Sequence, residues 1–427
     1  MGGGLLQLVA YGAQDAYLTC NPQITFFKSV YRRYTNFGME TIELSTQEAT
    51  YYGTADLSKE YCINLSTAIL KADLLHNVWV EVTLSNPATH NYGIGNNIIK
   101  SVALEIDNSI VEEHTGGWLN TYGEMFHLDG KRKAFDKLVG NCVSGKCPKK
   151  LFVPLRFFFC NNPGCALPLV SMKSSQIRLI FHFADREQLG LPVDCEVGIK
   201  IWGDGIFLDK DEHARFATTP MEYLIEQVQI KEYTLIKGDN KLLLPFNNCV
   251  KALYWTMNMP DNQSVSYPLH DDNDISDTQP SSKIVLNGQD RFDPRNMEYF
   301  LRTQPYNTHV NSARENLVLP GQDAQFIMQN KDNTNSVVSH IQAYNQYIYM
   351  YSFALKPAEY QPSGTCNMTR IDTVYLNLNN MKDIDEANGV LTIYAHSYNM
   401  LNVEKGIGSI LYPLECSSPR QKILYKL

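Results

Sequence analysis

Four cysteines form two pairs, Cys142-x4-Cys147 and Cys160-x4-Cys165. Four thiolates at that spacing could hold a zinc ion tetrahedrally. Phe157 to Cys160, however, reads as the end of a core strand, where a free cysteine behaves as a small hydrophobe. Buried thiols and no metal are expected. The acidic run HDDNDISD (270–277) lacks the glycine that an EF-hand loop needs for its sharp turn, and GDGIFLDKDE (203–212) fails the same pattern. The first reads as an exposed loop that holds cations loosely at best, the second as a strand running into a helix. Nucleophile motifs such as G-x-S-x-G, metalloprotease H-E-x-x-H and a phosphate-binding P-loop are absent from the sequence. His127 near Asp129, and His182 between Phe181 and Phe183, have no evident nucleophile. These residues point away from catalysis and from any cofactor. Three Asn-x-Ser/Thr sites occur, at Asn64, Asn262 and Asn367. Asn262, placed in a polar loop after Met259-Pro260, is the best glycosylation candidate.

The elements that carry these residues read as strands. Segments 39–44, 61–65, 78–84, 99–106, 151–159, 176–183 and 197–208 are apolar or alternating and separated by Gly- and Asn-rich breaks. One helix interrupts them near 117–127, where Trp118, Tyr122, Met125 and Phe126 fall at helical spacing. Many short strands with one helix indicate an antiparallel sandwich. The cluster Lys131, Arg132, Lys133 and Lys137 reads as a solvated loop. Residues 209–217 (DKDEHARFA) are acidic first and basic later, which suits a short helix and its dipole. Pro220 follows, and EYLIEQVQI restarts a strand.

With 427 residues the chain can bury a large core, and 19% charged residues mark it as globular. Aromatics reach 11%, with 25 tyrosines, favouring strands and polar-rimmed interfaces. A net charge of −8 argues against a coat laid directly on nucleic acid. Neither a secretory signal nor a membrane-spanning run is expected, and Leu6 stands where a myristoylation pattern wants Ser or Thr. The cysteines therefore read as thiols of a reducing compartment.

The second half repeats the first. VALEIDN at 102 and a following helix match KIVLNGQD near 284 and MEYFLRTQPY. LFVPLRFFF, a Pro/Gly loop and QIRLIFHF match YIYMYSFAL, a Pro/Gly loop and IDTVYLNL. An offset near half the chain means two copies of one fold, each large enough for an eight-stranded jelly roll. The predicted class is all-β, two tandem antiparallel jelly rolls with short helices in the loops. The expected divisions are an arm at 1–25, a first roll at 26–218 and a second at 219–427.

The wording of three stretches is more specific. SFALKP, QPSGTCN and RID between 347 and 372 resemble the signature of the major capsid proteins of nucleocytoplasmic large DNA viruses, such as chloroviruses and iridoviruses. LVAYGAQDAYLT with NPQITFFKSVYRRYTNF near the N-terminus, and IFLDKDEHARFA with EYLIEQ at the linker, are similar to the same family. The resemblance implies a virion shell protein assembled in the host cytoplasm, with a homotrimer as pseudo-hexameric capsomer. It implies neighbouring capsomers and minor capsid proteins as partners, and an arm at the capsomer base near an inner membrane.

Phe26, Phe27, Tyr31, Arg32, Arg33 and Tyr34 are expected to tie the arm to the first roll. Trp202, Phe207, Tyr223 and Leu224 should seal the junction, and Pro362, Ser363, Gly364 and Asn367 should hold the return loop. Segments 131–150, 261–282 and 307–339 are the candidates for outer loops. The alternatives are a carbohydrate-binding or carbohydrate-active jelly roll, and a scaffolding protein of the same lineage. The glycine-rich run usual near the family's C-terminus appears here as GIGSILYPLEC, which leaves the last strand's pairing open.

Overall fold

The computed structural model describes residues 3–44, 49–51, 61–65, 72–85, 93–141, 148–185, 189, 191, 195–259, 262–266, 268–269, 279–312, 347–381 and 390–413. The chain divides into a unit Met1–Asn36 and a unit Phe37–Leu427. The first contains two short helices, α1 (Gly3–Val9) and α2 (Ala13–Thr19). The Asp15 carboxylate accepts the Gly12 N–H at 2.8 Å and caps α2. At seven residues each, neither helix is long enough to be stable by propensity alone. Among the described residues no helix is long and apolar enough to cross a membrane.

The second unit holds two sandwiches, each with a matching set of eight strands among the described residues, beside the shorter strands Ala49–Tyr51 in the first and Asn262–Ser266, Arg295–Asn296, Cys366–Asn367 and Ile407–Ile410 in the second. The first contains β1 (Phe37–Glu43), β2 (Tyr61–Asn64), β3 (Leu74–Leu84), β4 (Ile99–Ile106), β5 (Ser109–Thr115), β6 (Lys150–Pro154), β7 (Ile177–Phe183) and β8 (Val197–Leu208). Its sheets run β1-β8-β3-β6 and β2-β7-β4-β5. The second contains β9 (Met221–Thr234), β10 (Gly238–Leu243), β11 (Cys249–Met259), β12 (Ser281–Leu286), β13 (Gln289–Asp290), β14 (Ile348–Ser352), β15 (Val374–Met381) and β16 (Val390–Glu404). Its sheets run β9-β16-β11-β14 and β10-β15-β12-β13. Adding eight to each strand of the first sandwich reproduces the second, with every pairing antiparallel. Two jelly rolls in tandem have this order.

The duplication reaches into the turns. Two-residue loops join β4 to β5 through Asp107-Asn108 and β12 to β13 through Asn287-Gly288. All four residues have positive φ, between 47° and 79°. A type I′ hairpin needs this at both central positions, hence the Asn, Asp and Gly. Alternation then sets the faces. Ile177, Leu179, Phe181 and Phe183 of β7 are buried, and His182 between them points to the outer side. One core fills the first sandwich and a second core, around Trp255, Phe300, Tyr349 and Leu376, fills the other.

Several expectations need correction. The basic cluster at 131–137 lies in a helix, α4 (Asp129–Val139), closed by Gly140 at φ 77°. Phe135 and Val139, one turn apart, anchor it, and Arg132 is buried with Nη2 donating to the Glu124 carbonyl at 2.7 Å. The strand expected over 151–159 stops at Pro154, and Phe158–Asn161 forms a helical turn. Asn262 begins a short strand, Asn262–Ser266, paired with β11, where a polar loop was expected. The helices at the centre and at the linker form as expected, α3 at Gly116–Phe126 and α5 at Lys210–Thr218. Cys142 and Cys147, residues 271–278 and residues 313–346 lie outside the described residues.

Candidate interaction surfaces

The contact between the sandwiches is built by α3. Thr115 caps the helix, its hydroxyl accepting the Trp118 N–H at 3.3 Å. Trp118, Tyr122, Met125 and Phe126 then share one helical face. That face lies on the outer side of the β9-β16-β11-β14 sheet, against Val228, Ala252, Tyr254, Ile348, Met350 and Tyr394. The Trp118 ring centroid is 5.3 Å from that of Tyr394 and 5.9 Å from that of Tyr254. The second sandwich's main sheet is thus buried on both faces, by its own core and by the first sandwich's helix. At the other end Ile225, Leu401 and Val403 extend the first core, with Tyr223 packed against it.

A polar layer fixes the registration. Gln227 donates to the Val111 carbonyl at 2.7 Å, and Glu112 accepts the Val228 N–H at 3.0 Å while bonding His114 at 2.7 Å. Lys251, fully buried, pairs with Glu226, whose second oxygen lies 3.3 Å from His396. Burial opposes ionisation of Glu226, but His396 and Lys251 outweigh it and hold the carboxyl well below its usual range. Burial lowers the Lys251 ammonium, with Glu226 pulling the other way. Burial pushes His396 down to about 4 and His309 to about 3, the Lys251 charge adding to both. His127 is lowered to about 4, by burial and then by Arg156, whose Nη2 is 2.7 Å from Nε2. Its Nδ1 faces the Gly123 carbonyl at 3.1 Å, so the neutral ring donates from Nδ1 and accepts at Nε2.

The residues singled out from sequence fall in several places. Phe26, Phe27, Tyr31 and Tyr34 are 81–97% exposed, and Arg32 and Arg33 are exposed beside them. The Trp202 indole is on the outer face of the first sandwich, donating to Glu81 at 2.9 Å, and Phe207 is exposed. Tyr223 and Leu224 alternate on β9. The Leu224 carbonyl accepts the Tyr360 hydroxyl at 2.9 Å and the Cys165 thiol at 3.8 Å. Leu224 and Asn367 share the wall of a cleft of about 620 Å³ with Arg370, Tyr398 and Tyr412.

In the return loop the Ser363 hydroxyl accepts the Lys356 N–H at 3.0 Å and its carbonyl accepts the Leu355 N–H at 3.2 Å. Gly364 has φ 130°, and a Cβ there would sit 3.0 Å from the Phe353 carbonyl oxygen. Asn367 pairs with Cys249 of β11, and Pro362 is exposed. Burial raises the Cys160 thiol to about 12 and raises Cys165 as well, so both remain protonated. No cluster of three or more metal-ligating side chains occurs among the described residues.

Glu226, Lys251, Tyr254, Tyr394 and His396 escaped the sequence reading. For Tyr254 and Tyr394 a signal was present. KALYWTMN and LTIYAHSYN are buried on both faces rather than alternating, the mark of a strand covered on two sides.

Comparison with known proteins agrees with the architecture. Residues 25–209 match the family described as "Major capsid protein N-terminus", and residues 212–318 and 333–409 match "Large eukaryotic DNA virus major capsid protein". The major capsid protein of Pyramimonas orientalis virus is 36% identical over 96% of this chain and all of its own. That of Paramecium bursaria Chlorella virus 1 is 33% identical with the same coverage. The solved PBCV-1 VP54 chain superimposes with a TM-score of 0.73 at 28% identity, covering 91% of this chain and all of that one. The Faustovirus major capsid protein shares the fold, with a TM-score of 0.64 at 12% identity, 92% of this chain and 94% of that one.

Proposed function

The chain belongs to the major capsid proteins of large eukaryotic DNA viruses, and from that premise we propose that three copies close into one capsomer of an icosahedral shell. The observation that carries this is the repeated strand order, β1–β8 followed by β9–β16. Two like bodies in each of three chains present six like wedges, so a threefold oligomer can fill a sixfold lattice position. The role is structural, with large repeated interfaces enclosing the genome and no substrate turned over. No observation favours a carbohydrate-active or scaffolding role.

The proposed divisions are an arm at 1–25, a first roll at 26–218 and a second at 219–427. In this reading Phe26, Phe27, Tyr31, Arg32, Arg33 and Tyr34, at the start of the first roll, tie the arm to it, and the arm lies at the capsomer base, facing minor capsid proteins and an inner membrane. Exposed apolar groups of this number mark an interaction surface. Tyr223 and Leu224 support the junction, with Trp202 on the outer face of the first sandwich and Phe207 exposed, and Pro362, Ser363, Gly364 and Asn367 hold the return loop. Asn262 remains the proposed glycan site, and assembly takes place in the host cytoplasm. The reading is tested by quantitative mass spectrometry of purified virions. A shell protein dominates the mature particle, whereas a chain that is present during assembly and lost from mature virions is a scaffold.

A further inference from the structure

Strand β16 changes partner along one of its sides. Tyr398 faces Cys249 at the start of β11, whereas Leu401–Glu404 pair with the short strand Ile407–Ile410. At this seam lies the cleft of about 620 Å³. Tyr394, Tyr398 and Met400 fall on one face by alternation, so the cleft continues the face that α3 covers further along the sheet. Its floor is apolar. Leu224 pairs with Met400 across the ladder, and Leu411 donates its N–H to the Met400 carbonyl at 3.0 Å. Its rim is polar, with the side-chain amides of Asn247, Asn248 and Asn367 and the guanidinium of Arg370. None of these four side chains has a hydrogen bond or ion pair with a protein group. The Asn248 Nδ2 group is also buried, and an orphaned buried donor is a standing cost to the empty cleft. No carboxylate lines the cleft among the described residues to answer Arg370. Volume, apolar lining and a few convergent polar groups are the features of a binding site.

We propose that this cleft binds an extended acidic segment of another protein. A side-chain amide sets a donor beside an acceptor, the complement of a peptide unit's C=O and N–H. Three of them along one rim suit a main chain laid out straight. The planar fork of Arg370 suits a carboxylate, which it can hold through two parallel bonds. The Leu224–Met400–Leu411 floor suits an aliphatic side chain next to that carboxylate. A sugar fits less well, because its hydroxyls would be buried on that floor without partners. Charge also selects against this chain's own last residues. Segment 414–427 carries Arg420, Lys422 and Lys426 against Glu415, the same sign as Arg370. The proposal gives the shell protein a further class of partner and does not depend on threefold closure.

The test is selection of a random dodecapeptide phage library on the immobilised full chain. Enriched sequences should place Asp or Glu beside Leu, Ile or Val. Synthetic peptides of those sequences should bind the wild type about 10- to 100-fold more tightly than Arg370→Ala, the effect of losing a charged hydrogen-bond partner. Arg370 is exposed and unpaired, so Arg370→Glu leaves the fold intact and should turn the selection towards Lys and Arg. Leu411→Asp, at a half-exposed floor residue, should abolish binding of the acidic peptides. The proposal fails if nothing is enriched, if neutral or basic sequences are enriched on the wild type, or if acidic ones bind Arg370→Glu equally well. It also fails if a saccharide on a glycan array binds the wild type and not Arg370→Glu, which would give the cleft to sugars. Light scattering on the same samples keeps the two readings apart. A trimer that selects no peptide ends this proposal alone, and a monomer that selects acidic peptides ends only the threefold reading.

Discussion

Trp118 is the residue on which the junction turns, and its replacement separates two effects of opposite sign. A tryptophan buries roughly 200 Å², and Trp118 is 1% exposed. At about 25 cal/mol per Å² its full burial is worth about 5 kcal/mol, of which an alanine keeps about 1 kcal/mol. Surrounding rings from both sandwiches cannot collapse freely into the space, so Trp118→Ala should cost about 3–5 kcal/mol. The indole N–H, however, has no hydrogen-bond partner among the described residues. An unpaired buried donor costs about 1–3 kcal/mol. Trp118→Phe gives up roughly 40 Å² of contact, about 1 kcal/mol, and also removes that orphaned donor. It should therefore lie within about 1 kcal/mol of the wild type. Urea unfolding followed by circular dichroism reads both variants. If Phe costs as much as Ala, or if Ala costs under about 1 kcal/mol, the helix is not the wedge described.

Acid should loosen the same junction. An unfolded imidazole titrates near 6.5, whereas His396 and His127 are lowered to about 4 and His309 to about 3. Above pH 6.5 all three are neutral folded and unfolded. Below it the unfolded chain takes up protons that the folded chain refuses, and stability falls until the folded values are reached. The loss approaches ~1.4 kcal/mol per pH unit for each histidine, roughly 6 kcal/mol for three by pH 5; a urea midpoint unchanged between pH 8 and pH 5 would contradict this. Lys251→Met should cost about 3–5 kcal/mol by stranding the Glu226 carboxylate, and adding Glu226→Leu should restore most of it; additive losses in the double variant would sink the pairing argument. Gly364→Val should cost about 1–3 kcal/mol, because valine resists φ 130°, and an unchanged thermal midpoint would show that the loop adapts.

Period-two alternation made β7, β8 and β15 legible from sequence, and the repeated order of elements gave away the tandem rolls. The residues that hold the rolls together were harder to see. Tyr254 and Trp255 are neighbours on β11 and serve different cores, one under α3 and the other inside the second sandwich. A sequence pattern records that both are apolar but not what covers each face. Helix α4 was hidden because Lys131, Lys133 and Lys137 crowd it with charge and, of its apolar side chains, only Phe135 and Val139 are buried. Arg132 looked solvated for the same reason, although its guanidinium spans the carbonyls of Glu124 and Ser312. Lys251 could not be foreseen as buried, since its partner Glu226 lies on a different strand and its acceptance into the core depends on that pairing.

The central claim is that one polypeptide carries two like wedges so that three polypeptides make a six-lobed block. Light scattering of the purified full chain at neutral pH tests it most directly. A mass three times the 48.5 kDa of one chain is predicted. A monomer, or an assembly of two, four or six chains, would contradict it.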